Sequence, residues 1–582
     1  MVRLRFRPWM FVGLAACPGN DATTTDDTTG SGHDTMLPTG GETTDSADTT
    51  DTGETTGGEV SGAARVVYIS GEGGFDAWPY FVDCRGATPG PPTPIHPLTS
   101  GWVLDQLYFS NRGEHGGMMG ASSPMPLQPR WLSYSMVDDQ GAGRGQWMVR
   151  MDGPLPGTPI KVGLPDAFVV VGVEFSANEQ LVAFAVEPTG TCEEQALYVC
   201  ALGAEGSCEP EPWHLPIVPG GFLEAAGARF SPDGSRIAYA SDPQNSGTRQ
   251  LYLAGTAPGD GGTAVQVTDL MPPVRGAGRP RFAADGATLY FSVSEAIGVP
   301  GQIVAVDISV DPPATPVEVS PPGNYVFNDG VTGMLSWEPG KIDNYGDLSL
   351  VKLAGTKASP AMPVHNKVGH VKFDSFAWAP DGQWIVYSAD SAGAPGLDEI
   401  YAVDVSGPAP GPPVNLAGPV GVAEEVIMVR FAPDAGRVFV PARVSVDGPS
   451  DLWMAGLAPL TPPILLHPPG FGVLGGGFAV SPASDLVAVH GMPKGATEQE
   501  LLLVDLAAPT SPVGLGGALA PGEATSSTPI FAADGQRVFF QVRAGGGWGP
   551  AYQVDVDPPG APIRISADGH RVGTIYVLGP PL

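Results

Sequence analysis

Cations are scarce in this chain. Its 582 residues hold 29 Lys and Arg against 61 Asp and Glu, for a formal net charge of −32. A surface this acidic offers no electrostatic footprint to phosphodiester backbones or anionic bilayers, so no nucleic-acid partner is expected. Cysteine is scarce too, with five residues, far below the density of a disulfide-stapled small fold. No run approaches the roughly 20 apolar residues of a spanning helix. No 3.6-residue apolar stripe of useful length appears either, which excludes stacked helix pairs. Several chemistries are missing as well. There is no Gly-x-Ser-x-Gly elbow, no His-Glu-x-x-His pair, no phosphate-cradling glycine loop and no dinucleotide fingerprint. The sequence points to no metal, no cofactor and no catalytic residue.

Glycine and proline, by contrast, are abundant, at 81 and 63 residues. With 42% hydrophobic residues in short β-branched runs, this composition reads as turn-dense β structure rather than disorder. A Pro-apolar element recurs at Pro94, Pro159, Pro216, Ala264 (where Ala replaces Pro), Pro316, Pro363, Pro413, Pro463, Pro512 and Pro562. After a first interval of 65, the spacings run from 47 to 57 residues. A fixed period of that size signals a repeat architecture rather than independent domains.

Each unit shares a grammar. An apolar residue, one or two small residues and Asp-Gly precede an alternating strand, as in Phe230-Ser231-Pro232-Asp233-Gly234 before Ile237-Ala238-Tyr239. Asp285-Gly286, Asp381-Gly382 and Asp534-Gly535 repeat the signal, and weaker copies end at Asn178, Asp434 and Ala483. Asp-Gly between apolar strands marks a hairpin, because Gly accepts positive φ and Asp bonds its own backbone. These aspartates are therefore expected to be structural. A third strand such as Leu251-Tyr252-Leu253 and the Pro-led fourth complete a unit of four strands, each of about five or six residues. The expected fold is all-β: a β-propeller of four-stranded antiparallel blades over residues 61–582, with eight to ten repeats. One large ring is favoured, and two smaller propellers are the alternative. The stretches near 104–163 and 328–366 are the least regular and could be insertions. Arg65 to Ile69 and Trp78 to Cys84 read as second and third strands of a blade lacking its first. The lone final strand, Arg571 to Leu578, would supply it and cover both open edges.

The wording Phe-Ser-Pro-Asp-Gly-x-x-Ile-x-Tyr resembles the WD40-like repeats of the TolB propeller family, seen also in prolyl-oligopeptidase propellers. The resemblance covers roughly residues 64–582. It implies the fold and little about activity, since the matching residues are turns and core strands. TolB relatives carry an α/β domain ahead of the blades, which is not what stands here, so a role in the Tol system does not follow. Some propellers of this resemblance are polysaccharide lyases that use His and carboxylates in the channel with a divalent ion, and that is the enzymatic alternative. The histidines here are scattered, and the close pair His365 and His370 is weak evidence for a ligand site. Trp131 and Trp147 read as blade core, and the Gly475-Gly476-Gly477 and Gly545-Gly546-Gly547 stretches as loops.

The beginning of the chain is different. Arg3, Arg5 and Arg7 precede a short apolar run from Trp9 to Ala15, the layout of an export signal over residues 1–16. Leu14-Ala15-Ala16-Cys17 resembles the lipobox of bacterial lipoproteins, which implies cleavage before Cys17 and lipidation of its thiol. Pro18 stands where that resemblance would place an inner-membrane retention Asp, so the outer membrane of a bacterial cell envelope is the favoured location. Residues 17–60 form the expected linker. Positions 18–60 hold fourteen Thr, ten Asp or Glu and no Lys or Arg, a composition that cannot offset its ordering entropy. A coil of that length spans roughly 35–40 Å. The implied function is a membrane-tethered, non-enzymatic scaffold that binds an envelope protein, peptide or glycan.

Four cysteines remain: Cys84, Cys192, Cys200 and Cys208. Leu202 to Gly206 reads as a tight loop, and Cys200 and Cys208 are symmetric about Ala204, which would place them opposite each other on adjacent strands. That pairing is expected, leaving Cys84 with Cys192.

Overall fold

The structure, a computed structural model, describes residues 64–579 apart from a set of inter-strand segments, the longest spanning 111–128. The expected export signal, Cys17 and the linker lie outside the described residues. Apart from one short 3-10 turn at Asp260–Thr263, every regular element described is a β-strand.

The strands pair into antiparallel units of four. In one of them, Phe168–Phe175, Leu181–Pro188, Ala196–Ala201 and Glu211–Pro212 lie side by side in chain order. There are eight hydrogen-bonded sheets, and two nine-stranded ones each contain two units, so the blades number ten. Blade 1 spans residues 65–94, blade 2 102–161, blade 3 168–212, blade 4 222–266 and blade 5 276–318. Blades 6 to 10 span 324–363, 371–415, 425–465, 471–514 and 523–564. Strands a to d run outward from the innermost in each blade. The irregular stretches suspected of being insertions are blades 2 and 6.

Blade 1 takes its a strand from the other end of the chain. Arg571–Leu578 pairs antiparallel with Arg65–Gly71, from Arg65 opposite Leu578 to Gly71 opposite Arg571. Both open edges are thereby hydrogen-bonded, the arrangement expected from the lone final strand.

Why the units must stack is visible in the b strands, which are apolar on both faces. Ile237 and Tyr239 pack towards blade 3, while Ala238 between them packs towards blade 5. Ile385 and Tyr387 face blade 6, and Val386 faces blade 8. The two-residue side-chain period thus sends alternate residues into different inter-blade cores. Each buried aliphatic or aromatic side chain contributes about 1.5–3 kcal/mol, and a blade alone could bury neither face. Successive apolar clusters join blades 2 and 3, 3 and 4, and so on to 9 and 10, and a last cluster joins blades 10, 1 and 2. The circuit is a single closed ring of ten blades.

The d strands depart from expectation. They are two residues long rather than five or six, as at Val317–Glu318 and Val414–Asn415. A Pro usually precedes them and removes a ladder donor. A short, interrupted outer edge resists pairing with other chains.

The a–b turns share one geometry. Ser231 N donates to Arg236 O at 2.9 Å and Gly234 N to Ser231 O at 2.8 Å, enclosing a four-residue loop. Gly234, Gly286, Gly382 and Gly535 hold φ of 66–74°, and the Asp before each accepts from the backbone N–H two residues on, at 2.9–3.0 Å. In the weaker copies Glu179, Ala435 and Ser484 take the same left-handed position, with φ of 53°, 56° and 60°. The turn therefore persists where its glycine does not.

Candidate functional site: a polar groove between blades 2, 3 and 4

The a–b turns and c–d loops of each blade share one end of the ring. There, blades 2 to 4 enclose a groove of about 690 Å³. Its walls are Arg130 and Arg150 of blade 2, the turn Asn178-Glu179-Gln180 of blade 3, Asp233-Gly234-Ser235 of blade 4, and Thr256, Ala257 and Asp260 further along blade 4.

Glu179 organises one side. Its left-handed backbone costs about 1–2 kcal/mol for a residue with a Cβ, and it places the carboxylate against blade 2. There Glu179 Oε1 accepts from Arg130 N–H at 3.3 Å and from the Ser110 hydroxyl. The Arg130 guanidinium lies 3.8 Å from Glu179 and 3.7 Å from Asp152, and Arg150 closes on Asp152 at 2.6 Å. The Asp152 carboxyl is held below its usual value, chiefly by the hydrogen bond from Arg150. The cations of the groove are thus neutralised within its own wall.

On the opposite side Asp233 is held down to about 2 by hydrogen bonds from Ser231 and Ser235. It stays ionised at any physiological pH. Thr256 Oγ1 donates to Gly234 O at 2.6 Å, and Asp260 accepts from Ala257 N–H at 3.2 Å. With the arginines occupied, the free capacity of this wall is acceptor-rich, suited to hydroxyl, amide or ammonium donors.

The sequence reading did not single out these residues. A signal was present: at the turn position that holds Gly in the strong copies, blade 3 carries Glu. Asp233 and Gly234 do lie at the groove, but as turn residues. Asp285, Gly286, Asp381, Gly382, Asp534 and Gly535 build the same turn in blades 5, 7 and 10. A second unnoticed pattern is a basic residue two places after the turn glycine or its substitute. Arg236 reaches Ile308 O, Arg437 reaches Ser484 O at 2.6 Å, and Arg537 reaches Cys84 O, each in the next blade.

Three histidines occupy related places that sequence spacing obscured. His96, His365 and His570 follow the d strands of blades 1, 6 and 10, and each bonds through Nδ1 to a b-strand Tyr of the next blade. The partners are Tyr134 at 2.9 Å, Tyr387 at 3.0 Å and Tyr68 at 3.0 Å. Each tyrosine stacks on its cross-strand aromatic, Trp147, Tyr401 or Tyr80, with centroids 5.3–6.2 Å apart. His467 Nε2 accepts from Leu452 N–H at 3.1 Å while Nδ1 faces Pro468 O at 3.0 Å. His490 Nε2 meets Thr525 O at 3.0 Å and Gln499. All five are engaged within or between blades. His370 lies outside the described residues. Trp131 is 2% exposed in the blade 2–3 core, and Trp147 packs between Tyr134 and His96. Among the described residues no group of three His, Cys, Asp or Glu could hold a metal ion.

Cys200 and Cys208 are joined, with Cα atoms 5.4 Å apart. They are not directly opposite on paired strands. Tyr198 opposes Pro212 and Val199 opposes Glu211, so Cys208 sits in the connection ahead of strand d. The expected Cys84–Cys192 bond does not form: Cys84 is a buried free thiol. It ends a strand of blade 1, Cys192 falls between two strands of blade 3 outside the described residues, and blade 2 stands between those blades. A disulfide needs Cα atoms within about 7 Å. Gly475, Gly476 and Gly477 are likewise not a loop but lie within the a strand Phe471–Val480, where the pairing slips between Val473 and Phe478.

No family model matches the chain. No curated protein matches it either. Among solved structures it is similar to a eukaryotic initiation factor, at 11% identity and a TM-score of 0.46, over 90% of this chain and 100% of that one. A structure from a study of two prolyl endopeptidases matches at 11% identity and a TM-score of 0.36, over 71% of this chain and 56% of that one. The β-propeller domain of the Trilobed protease from Pyrococcus furiosus, described as having an open velcro topology, matches at 12% identity and a TM-score of 0.29, over 61% and 99%. The ten-bladed circuit and its stitched first blade define the class: this is a β-propeller protein.

Proposed function

We propose that the chain is an exported lipoprotein whose propeller is a non-enzymatic recognition head, tethered in a bacterial cell envelope with the outer membrane favoured. The observation that carries the recognition role is the groove of about 690 Å³, walled by three consecutive blades. Its internally paired arginines and ionised Asp233 offer fixed acceptors to a peptide, protein loop or glycan. Leu14-Ala15-Ala16-Cys17 and the Thr- and Asp-rich stretch to residue 60 support the anchor and spacer. Two or more acyl chains, at about 0.8 kcal/mol per buried methylene, attach such a head stably without a spanning helix.

The anchor is tested by labelled palmitate incorporation into the wild type and Cys17→Ser. Labelling of the wild type alone is expected, and equal labelling rejects the lipobox. The recognition role is tested on peptide and glycan arrays with the wild type and Asp260→Asn. Signals weakened by the substitution are expected. Appearance of unsaturated sugar products from an acidic polysaccharide would reject the non-enzymatic reading.

A further inference from the structure

Trp548 is 60% exposed, the one aromatic among the large apolar side chains that the described surface leaves open. It opens strand c of blade 10, Gly547–Asp555, at the end of the strands away from the Asp-Gly turns and the groove. Its ring lies over Gly573 on the seam strand: a Cβ placed there would meet indole carbons at 2.5–3.0 Å. The glycine lets the indole approach the backbone closely, while most of the side chain stays open to solvent. Gly573 is also the extra residue where the pairing of Arg571–Leu578 with strand b of blade 1 slips, since Ser70 opposes Val572 and Ile69 opposes Thr574.

One exposed cation stands beside this platform. Arg543 is directly opposite Trp548 across strands b and c, so the two share a face. Its guanidinium has no hydrogen-bond or ion-pair partner among the described residues. In a chain of 29 cations and 61 acids, an arginine without a partner next to an open indole is a local reversal of sign.

We propose that Trp548 and Arg543 form a binding site for an acidic sugar carrying a single carboxylate, at the end of a glycan or sparsely placed along it. The proposal rests on the recognition reading above and names a site on the other face of the ring. A pyranose presents a flat patch of C–H groups that stacks on the electron-rich indole face, and its carboxylate accepts paired N–H bonds from a guanidinium. Cationic ligands are disfavoured by the arginine. Densely charged polyanions are disfavoured by the net charge, whereas one carboxylate within about 8 Å of Arg543 feels mainly that charge at physiological salt.

The test is calorimetric titration of the full chain with cellobiouronic acid, a disaccharide bearing one carboxylate, and with cellobiose as its neutral counterpart. Trp548→Ala is expected to weaken cellobiouronate binding about tenfold or more, and Trp548→Phe to retain part of it. Arg543→Gln should weaken cellobiouronate by about fivefold or more while leaving cellobiose unchanged. Gly573→Val, which keeps both side chains but displaces the indole, should behave like Trp548→Ala. Saturable binding unaffected by Trp548→Ala overturns the site, as does Arg543→Gln weakening both sugars equally. Binding lost in Asp260→Asn and kept in Trp548→Ala overturns this site and leaves groove recognition standing. No binding of either sugar by the wild type overturns the site, while the array experiment separately judges the recognition role.

Discussion

Tyr68 and His570 stand 502 residues apart in sequence and share a hydrogen bond of 3.0 Å between phenol and imidazole Nδ1. The bond crosses the seam where blade 10 hands over to blade 1, and Arg65 lies on the same strand as Tyr68. Arg65 is 1% exposed, yet it forms no ion pair with a carboxylate among the described residues. Its Nε donates to Gly579 O at 3.0 Å and its Nη1 to Gly153 O at 2.8 Å and to Met151 O. One guanidinium thereby joins the seam strand, blade 1 and blade 2 through carbonyl oxygens alone.

Arg65→Met keeps an unbranched stem out to about the Nε position and leaves three carbonyls without that donor. Hydrogen bonds to a charged group contribute about 1.5–3 kcal/mol, so a loss of about 3 kcal/mol is expected on thermal or urea unfolding. Removing residues 571–582 deletes the a strand of blade 1 and should cost cooperativity itself, seen as a broadened transition. A truncated chain that unfolds like the wild type would contradict closure through this seam.

Stability should also depend on pH through buried imidazoles. His96 is held below the usual histidine value by burial, and so is His490, against hydrogen bonds that act the other way. Below the reference value of 6.5 the unfolded chain binds more protons at these sites than the folded one, so stability rises with pH. This contribution is complete above that value and is lost as pH falls below it. The turn carboxylates Asp233 and Asp404 are depressed from 3.8 and titrate below this window. The thermal midpoint should fall between pH 7 and 5 in the wild type, and by less in His490→Gln. Equal slopes for the two proteins would remove His490 from the account.

The two kinds of cysteine should separate chemically. Cys200 and Cys208 close a loop with a sequence separation of 8, for which chain entropy gives about 2.5 kcal/mol. Cys200→Ser with Cys208→Ser should lose up to that amount. Cys84 is fully buried, and burial pushes its thiol up to about 12. It should resist alkylation in the native protein and react once the chain is unfolded, as read by peptide mapping. Rapid native labelling of Cys84 would show that the blade 1 interior opens.

The fold was legible because a propeller repeats the same local requirements. Asp-Gly before alternating apolar residues fixed the a–b hairpin, and the Pro-led element marked the edge strand, so even the missing first strand of blade 1 could be inferred. Blade 2 was doubtful because no Asp-Gly stands between its first two strands, and blade 6 because Gly333 follows its Asp329-Gly330 where the strong copies place an apolar residue, although packing between neighbours imposes the same four strands. The groove was much less legible. It depends on Arg130, Asp152, Glu179 and Asp233, drawn from three blades, and no sequence period brings such residues together. Trp548 escaped notice for a related reason: its exposure depends on Gly573, which arrives from the far end of the chain. The cysteine symmetry gave the correct pair for an inexact reason, since Cys208 lies outside the ladder.

The turns offer a prediction of opposite sign. Gly234 and Ala435 occupy equivalent positions, at φ of 74° and 56°. For a residue with a Cβ this conformation costs about 1–2 kcal/mol, offset in part by the freedom a Cβ removes from the unfolded chain, so Gly234→Ala should destabilise by somewhat under about 1 kcal/mol. Ala435→Gly relieves the same strain but adds freedom to the unfolded chain, which costs about 0.4–1 kcal/mol. The net expectation is a gain of somewhat under about 1 kcal/mol. Glu179 and Ser484 do not give so clean a test, because each side chain there also joins two blades. Glu179 accepts from the backbone N–H of Arg130, and Ser484 Oγ from that of Asp434 at 3.1 Å. Removing either exchanges relieved strain for a lost inter-blade bond, so Glu179→Gly and Ser484→Gly should gain less than Ala435→Gly or lose outright. If all three glycine substitutions stabilise equally in urea titrations, the side chains at these turns contribute nothing between blades, and the structural role given to Glu179 in the groove wall falls with them.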